Sequence, residues 1–548
     1  MIIRSMNNEI NVPEGKTVQE CLKALNAFPR GTLAAQSGGV VCELNDRLRT
    51  DCTLTPLTLE NEEGRRVYER SLRFVMLLAL RHLFPYQRVR IEYSVGYGVF
   101  VRLPGVELHR QDIVKIENEM RRLTELDLVF EKKQWTKEDA IRYFEEEGQT
   151  DKVALLRHRP VPYFNMYSID GMWEYFYGAM TVSTGYVKVF TIFELRGGFV
   201  LQLPAGADFD HAAPYIYRPK HLEVFRQSAE WCEILGVTNV SDLSRLIEEN
   251  KLRNFIRVNE ALHESAINDI ARKIHEQNKH VVLIAGPSSS GKTTFAGRLA
   301  IHLQMFGHPS RRISMDDFFV NRDDMPLQLD GTRDFDSIDA LDIKLLSDTL
   351  TALLNGEEVF MPNFDFASGS KDYLTPPTSL VPGEIIILEG IHGLNPQVSE
   401  MLPADEIYRV FASALTCLNL DDHNRIRTTD VRLLRRIVRD NQFRGYEPEV
   451  TLDIWPRVRK AEELYIFTHQ ENADSMFNTA LQYELPILKL YAYDLLKKVP
   501  ASSPNYLLSR RLIKALNYLP NVDASVLDEI PPLSLLREFI GGCTLEDV

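Results

Sequence analysis

The 548-residue chain has few cysteines, and none of the six, at 21, 42, 52, 232, 417 and 543, stands in a C-x-x-C pair. That spacing argues against a zinc ribbon or a disulfide framework and leaves reduced thiols. Long hydrophobic runs are also missing. The densest, Phe74 to Leu80, stops at Arg81 and His82, far short of the roughly 20 apolar residues that a membrane span requires. The opening MIIRSMNNEI carries Arg4 and Glu9 where a signal peptide needs an apolar stretch. The expectation is a cytoplasmic protein with no membrane partner. Positive charge is in deficit, with 63 Lys and Arg against 77 Asp and Glu and a formal net charge of −14. Non-specific DNA binding needs clustered cations, so no DNA partner is expected, although a local basic groove stays open. Internal repeats and low-complexity linkers are absent too. What remains is a globular composition, 44% hydrophobic and 26% charged, at a length that calls for about three or four domains.

Residues 1–60 alternate short apolar stretches with turn signals (Ile2-Ile3, Ile10 to Val12, Pro13-Glu14-Gly15) and then place Val18, Cys21, Leu22 and Leu25 at helical spacing. They read as a small α+β module. From Val67 to Phe84 apolar residues recur three and four apart until Pro85, which predicts a helix ended by a breaker. Strand-like pieces at Val89 to Tyr93 and Val99 to Leu103, a charged helix at Gln111 to Leu126 and strands from Gly185 to Leu203 make 61–225 a second α+β domain. Glu223 to Gln277 is polar and helical, with Ile256, Leu262, Ile267, Ile270 and Ile274 as its apolar positions, and 226–277 is taken as a helical connector. Apolar β runs follow at Val281 to Ala285, Ile313 to Met315, Ile385 to Leu388, Val410-Phe411 and Ile487 to Leu490, mostly separated by helical patterns. This alternation predicts an α/β domain over 278–500 with a parallel sheet buried on both faces, and 501–548 is left as a C-terminal helical extension.

The strongest motif is Gly286-Pro-Ser-Ser-Ser-Gly291-Lys292-Thr293, a complete G-x-x-x-x-G-K-[ST] between an apolar strand and a helix. Backbone N–H groups and the helix N-terminus suit phosphate, Lys292 reaches the β- and γ-phosphates, and the Thr293 hydroxyl suits Mg²⁺. Gly286, Ser288, Ser289, Ser290, Gly291, Lys292, Thr293 and Thr294 are therefore the candidate ATP cradle. A P-loop enzyme also needs carboxylates at neighbouring strand ends. Asp316 and Asp317 follow Arg312 to Met315, and Glu389 follows Ile385 to Leu388. Acids there are costly to bury without a cation. A third cluster, Arg432, Arg435, Arg436 and Arg439 with Arg444 beyond, puts several guanidinium groups along one helical face. Such groups pair with phosphate oxygens and offset charge on a transferring phosphoryl group.

In order and spacing these residues resemble the uridine kinase and phosphoribulokinase branch of P-loop kinases, over roughly 278–500. Ser314 to Phe319 resembles its segment of aspartate and two aromatics after the second strand. Asp334 to Asp342 resembles its Asn-Phe-Asp-His-Pro-Asp-Ala stretch, Pro362 to Phe366 its Pro-x-Tyr-Asp-Phe, Leu388 to Ile391 its second metal-site strand, and the arginine helix its lid. The resemblance implies that Asp316 is the general base toward a nucleoside 5′-hydroxyl, with Lys292, Arg435 and Arg439 also catalytic. It implies Mg²⁺ among Thr293, Asp316 and Glu389, ATP phosphate contact from Arg436, and substrate contacts from Asp336, Phe364, Arg432 and Arg444. One departure touches specificity. Pyrimidine kinases of the family continue Tyr-Asp-Phe-x-x-His, and this chain has Phe364 and Gly369 at the tyrosine and histidine positions, so groups that would read the base are absent.

The N-terminal half is similar to the front of threonyl-tRNA synthetase. Ile10 to Val18 resembles the opening of a ubiquitin-like TGS domain (1–60), and 61–225 resembles the editing-type domain through Ser183 to Tyr186 and Gly197 to Phe199. That family's H-x-x-x-H falls at Arg70 to Phe74 without histidine, and its Cys-x-Gly-Pro-His at Phe176 to Met180 without cysteine or histidine. The resemblance thus implies a catalytically empty domain, and His82 reads as a helix-boundary residue. The expected function is an ATP- and Mg²⁺-dependent nucleoside kinase acting on uridine or cytidine. The rivals are a kinase of another alcohol or sugar phosphate, for which Arg333 is the only nearby extra cation found in sequence, and a nucleotide-sensing RNA-binding regulator. RNA or tRNA contact by residues 1–225 and a homo-oligomer are left open.

Overall fold

Thr17 starts the first helix, Val18–Ala24, with a reciprocal cap: its hydroxyl accepts the Glu20 N–H at 3.2 Å and the Glu20 carboxylate accepts the Thr17 N–H at 2.8 Å. In the computed structural model, which describes all residues except 7, 160, 207, 328–332, 366–367 and 546–548, this helix packs on two three-stranded sheets. Ile2–Ser5 is central in one, between antiparallel Asn8–Asn11 and parallel Cys52–Thr53. Ala34–Ser37 is central in the other.

Helix Glu62–Leu83 ends before Pro85, which cannot continue a helical ladder. Its apolar face packs, with Arg110–Glu125, against an antiparallel sheet ordered Thr191–Leu195, Gly198–Gln202, Gly98–Arg102, Arg90–Val95. The expected strand start at Gly185 is instead a 3-10 turn, Thr184–Val187. There Gly185 N–H and the Ser183 hydroxyl bond the Asp127 carboxylate, which takes the backbone out of ladder geometry. The stretch read as one connector is three helices, Pro219–Ile234, Val240–Glu248 and Leu252–Glu276. In the last, Ile256, Ile267, Ile270 and Ile274 are buried.

A five-stranded, all-parallel sheet follows, ordered Ser310–Ser314, Ile385–Glu389, Val281–Ala285, Ile407–Ser413, Ser475–Asn478. Helices cover both faces, which is why the three inner strands are almost continuously apolar. The fifth strand corrects the sequence reading. Ile487 to Leu490 lies inside helix Glu484–Lys497, where Leu485, Leu488, Ala492 and Leu496 share the buried side. A short apolar run fits either element, and the true edge strand, Ser-Met-Phe-Asn, is too short and polar to stand out.

The two halves share packing. Ala140, Phe144, Leu156 and Phe164 join the same hydrophobic cluster as Leu512, Leu516 and the sheet residue Val410. Ion pairs run across as well: Arg66 meets Asp430 at 3.1 Å, and the buried Glu174 binds both Lys152 and, at 2.7 Å, His423. No helix among the described residues is long and apolar enough to cross a membrane.

Candidate functional site

The P-loop opens where strand Val281–Ala285 ends. Glycine is required at 286, because a Cβ there would lie 2.0 Å from the Ala412 carbonyl oxygen. It is favoured at 291, where φ is +86° and helix Lys292–Met305 begins. Between them the hydroxyls of Ser289 and Ser290 are buried without a hydrogen-bond partner among the described residues. Lys292 Nζ donates to the Pro287 carbonyl at 3.2 Å, and burial lowers its pKa despite the charges of Glu389, Glu538 and Asp316. Unsatisfied hydroxyls and a partly desolvated ammonium at a helix N-terminus form a ready anion cradle.

Parallel pairing sets the carboxylates beside it. Glu389 is level with Ile284 on one side and Ser314 on the other, so all three strands end together. Asp316 stands in the turn Met315–Phe318, whose start is held by the Asp316 N–H donating to Ser314 Oγ at 3.2 Å. Thr293 Oγ1 donates to Glu389 Oε1 at 3.0 Å. Burial, together with the Asp316 charge and against the pull of Lys292, pushes the Glu389 carboxyl up to about 7. Asp316 still touches solvent, yet enough protein surrounds it to raise its pKa against Lys292, Arg444 and Arg439. Two carboxylates held above their ordinary range beside a hydroxyl form an all-oxygen set short of positive charge. That set fits Mg²⁺, which takes one or two carboxylates plus phosphate oxygens. Asp317 points elsewhere, accepting the Phe364 N–H at 3.5 Å.

The arginine helix, Thr428–Arg444, divides its side chains. Arg436 Nη1 donates to Ser288 Oγ at 2.7 Å, and Arg432 Nε to the Ser288 carbonyl at 3.0 Å. Arg432 also pairs with Glu462, whose carboxylate accepts the Ser288 N–H at 3.0 Å. Arg432 is thus almost wholly buried under the P-loop, where it braces the loop instead of facing the acceptor side as expected. Arg439 and Arg444 lie close enough to Asp316 to oppose its pKa shift, and both pair with Asp440. Arg435 corrects the sequence reading: it is fully buried, bonds Glu484 at 2.6 Å and the Thr479 carbonyl at 2.9 Å, and packs on Phe539. A step of one residue rotates a helical side chain by about 100°, so Arg435 and Arg436 cannot share a face.

At the acceptor end, the Asp336 N–H donates to Asp334 Oδ1 at 3.1 Å, and Asp334 Oδ2 accepts from Tyr465 at 3.0 Å. Arg457 approaches Asp336 at 3.5 Å, so Arg333 is not the sole cation near that aspartate. Phe364 lies in hairpin Asn363–Asp365 and Ser370–Asp372, edge to face with Phe319 at 5.7 Å; Phe366 lies outside the described residues. A Cβ at Gly369 would meet Arg322 Nε at 2.8 Å, so an arginine stem lies where a side chain at 369 would begin. Sequence reasoning missed Glu462, Arg457 and Glu538, which lie 174, 121 and 244 residues from Ser288, Asp336 and Thr294. No local pattern marks them. His392, three residues past Glu389 and 1% exposed, could have been found by its place after the strand.

In the N-terminal half, segments 70–74 and 176–180, where the editing motifs would fall, do meet. Arg70 donates to the Ala179 carbonyl, and a Cβ at Gly178 would lie 2.6 Å from Arg70 Nη2. His82, at the helix end as read, bonds Glu119 at 2.6 Å.

A P-loop between parallel strands, with carboxylates at the adjacent strand ends, defines the P-loop phosphotransferase class. Residues 281–484 match the Phosphoribulokinase / Uridine kinase family. The chain is 30% identical over 169 residues to a uridine kinase of Deinococcus deserti, covering 31% of this chain and 72% of that protein. It belongs to this family. Its N-terminal region is 31% identical over 193 residues to a threonine–tRNA ligase of Symbiobacterium thermophilum, 34% of this chain, and spans only 29% of that ligase. The structure of a possible uridine kinase from Bacillus stearothermophilus is 19% identical and covers 38% of this chain and 98% of that one, at a TM-score of 0.26.

Proposed function

We propose that the chain is an ATP- and Mg²⁺-dependent kinase that phosphorylates the 5′-hydroxyl of a nucleoside, uridine or cytidine first. The observation that carries the reading is the convergence of Lys292, Thr293, Asp316 and Glu389 at one set of strand ends. The nucleoside oxygen bonds the γ-phosphorus, the bond from that phosphorus to the β,γ-bridging oxygen breaks, ADP leaves, and the hydroxyl proton passes to Asp316. Lys292, Arg436 and Arg439 hold the phosphates, while Asp336 and Phe364 receive ribose and base. Thr293, Asp316 and Glu389 would hold Mg²⁺, which would supply charge neutralisation at the phosphate oxygens. Little beyond positioning and charge neutralisation is needed.

Arg457 at Asp336 and Arg322 at Gly369 favour a second reading, in which the acceptor itself carries a phosphate. ADP release from Mg-ATP with uridine, cytidine, adenosine, guanosine, ribulose 5-phosphate or no acceptor separates the two, with Lys292→Ala as the blank. Stimulation by a pyrimidine nucleoside supports the first reading, and stimulation by the sugar phosphate alone replaces it with the second. Wild-type turnover in Lys292→Ala would sink the P-loop assignment.

A further inference from the structure

Far along the chain from the P-loop, the segment Tyr177 to Ala179 is ringed by cations. Arg70, from helix Glu62–Leu83, lies against Gly178 and donates to the Ala179 carbonyl. Lys514, from helix Tyr506–Leu516, donates to the Tyr177 carbonyl at 2.9 Å. The Arg159 guanidinium covers the Tyr518 ring at 4.0 Å, and that ring packs edge-on against Tyr177 at 4.5 Å.

These cations lack counterions. Among the described residues, Arg70, Arg159 and Lys514 have no carboxylate within ion-pair distance, and Nε of Arg159 is buried without a hydrogen-bond acceptor. Asp421 accepts from the Tyr177 hydroxyl and the Asn424 amide and pairs with none of these cations, and the acids around Arg70 are engaged elsewhere. Glu62 and Asp430 bind Arg66 and Arg511, Glu63 binds Arg511 at 2.9 Å, and Glu69 binds Arg427 and Arg73. Burial, with repulsion from neighbouring cations, lowers Arg70 to about 10 and Lys514 to about 8. Lys514 nevertheless stays solvent-exposed, so the group opens to the outside. Holding like charges together in this way is costly unless an anion joins them, and a chain of net charge −14 does not collect such an excess by composition.

We propose that Arg70, Arg159 and Lys514 form a second anion site, built from both halves of the chain, for a phosphate-bearing ligand with two or more negative charges. Planar guanidinium forks match phosphate oxygens two at a time, and several cations around one point favour a multiply charged group over a single carboxylate. The phosphate could belong to a free polyphosphate or nucleotide, or to the end of an RNA. The site does not depend on the kinase reading, since none of its residues touches the P-loop.

Isothermal titration of the full-length Lys292→Ala protein with inorganic tripolyphosphate tests the proposal apart from the P-loop. One ligand per chain is expected, with affinity falling as salt rises. Lys514→Gln and Arg159→Gln, each added singly, should weaken binding about tenfold, as loss of a charge-assisted hydrogen bond does. Lys514 is an exposed helical residue, so its variant keeps the fold even if Arg159→Gln is unstable. A 5′-phosphorylated ribo-oligonucleotide forms the second arm: tighter binding than tripolyphosphate with the same sensitivity makes RNA the source, and weaker binding makes it the free polyphosphate. Absence of binding by Lys292→Ala, or undiminished binding with Lys514→Gln added, overturns the site.

Discussion

Thr294 and Glu538, 244 residues apart, are joined by two hydrogen bonds to one oxygen: Glu538 Oε2 accepts the Thr294 N–H at 3.2 Å and its hydroxyl at 2.9 Å. Thr294 is the third residue of the P-loop helix, whose early N–H groups have no partner within the helix. The C-terminal segment thus supplies an N-cap from outside, with its negative charge at the positive end of the helix. Leu535 packs beside Gly291 and Phe539 beneath Arg435 in the same segment.

Glu538→Ala should therefore cost about 1–2 kcal/mol of stability, the usual size of a lost cap, and raise the KM for ATP more than it lowers kcat. Calorimetry and steady-state kinetics on the purified variant check both. An unchanged Tm would show that the cap contributes nothing.

Arg435 and Arg436 should separate cleanly although they are sequence neighbours. Arg435→Gln leaves Glu484 buried without its cation, a loss of about 3–5 kcal/mol, whereas Arg436→Gln removes a contact to Ser288 and should raise the KM for ATP with little change in Tm. Equal effects on stability would contradict the different environments of the two side chains.

Asp316→Asn should reduce kcat by about 10² or more while ATP binding is roughly preserved, as for a lost base or metal ligand. Nucleotide titration beside turnover measures the split, and a change confined to the KM for ATP would remove Asp316 from the proton transfer.

Stability should fall on mild acidification. Burial, with Arg298 nearby, holds the His263 pKa down to about 3, and burial with Arg218 holds His221 down to about 4, so both stay neutral in the folded chain. The unfolded chain protonates them near pH 6.5 and binds more protons below that point, so unfolding becomes easier as pH drops through 6.5 toward the folded values. Each contributes about 2 kcal/mol of loss between pH 7 and pH 5. Chemical denaturation at both pH values should find His263→Gln losing about 2 kcal/mol less than wild type, and identical losses would mean that His263 protonates inside the fold.

Much of the candidate site was legible because phosphate chemistry demands short contiguous patterns. Gly286 to Thr293 must span the turn from strand into helix, and Asp316 and Glu389 betray themselves as acids directly after apolar strands. The elements followed where periodicity was strong, as in Glu62–Leu83 and the three inner strands of the parallel sheet. They failed where it was weak: Ile487 to Leu490 has an apolar run that suits either a strand or a buried helix face.

By itself the sequence determined the P-loop, the parallel sheet and the resemblance of each half, since these rest on residues near one another in the chain. Only the tertiary structure decided that Arg435 faces Glu484 while Arg436 faces Ser288, that Glu462, Arg457 and Glu538 reach a site distant in sequence, and that Arg70 and Lys514 meet around Gly178. The reason is physical: backbone patterns are set by local sterics and hydrogen bonding, whereas the partner of a charge is set by which surfaces the core brings together.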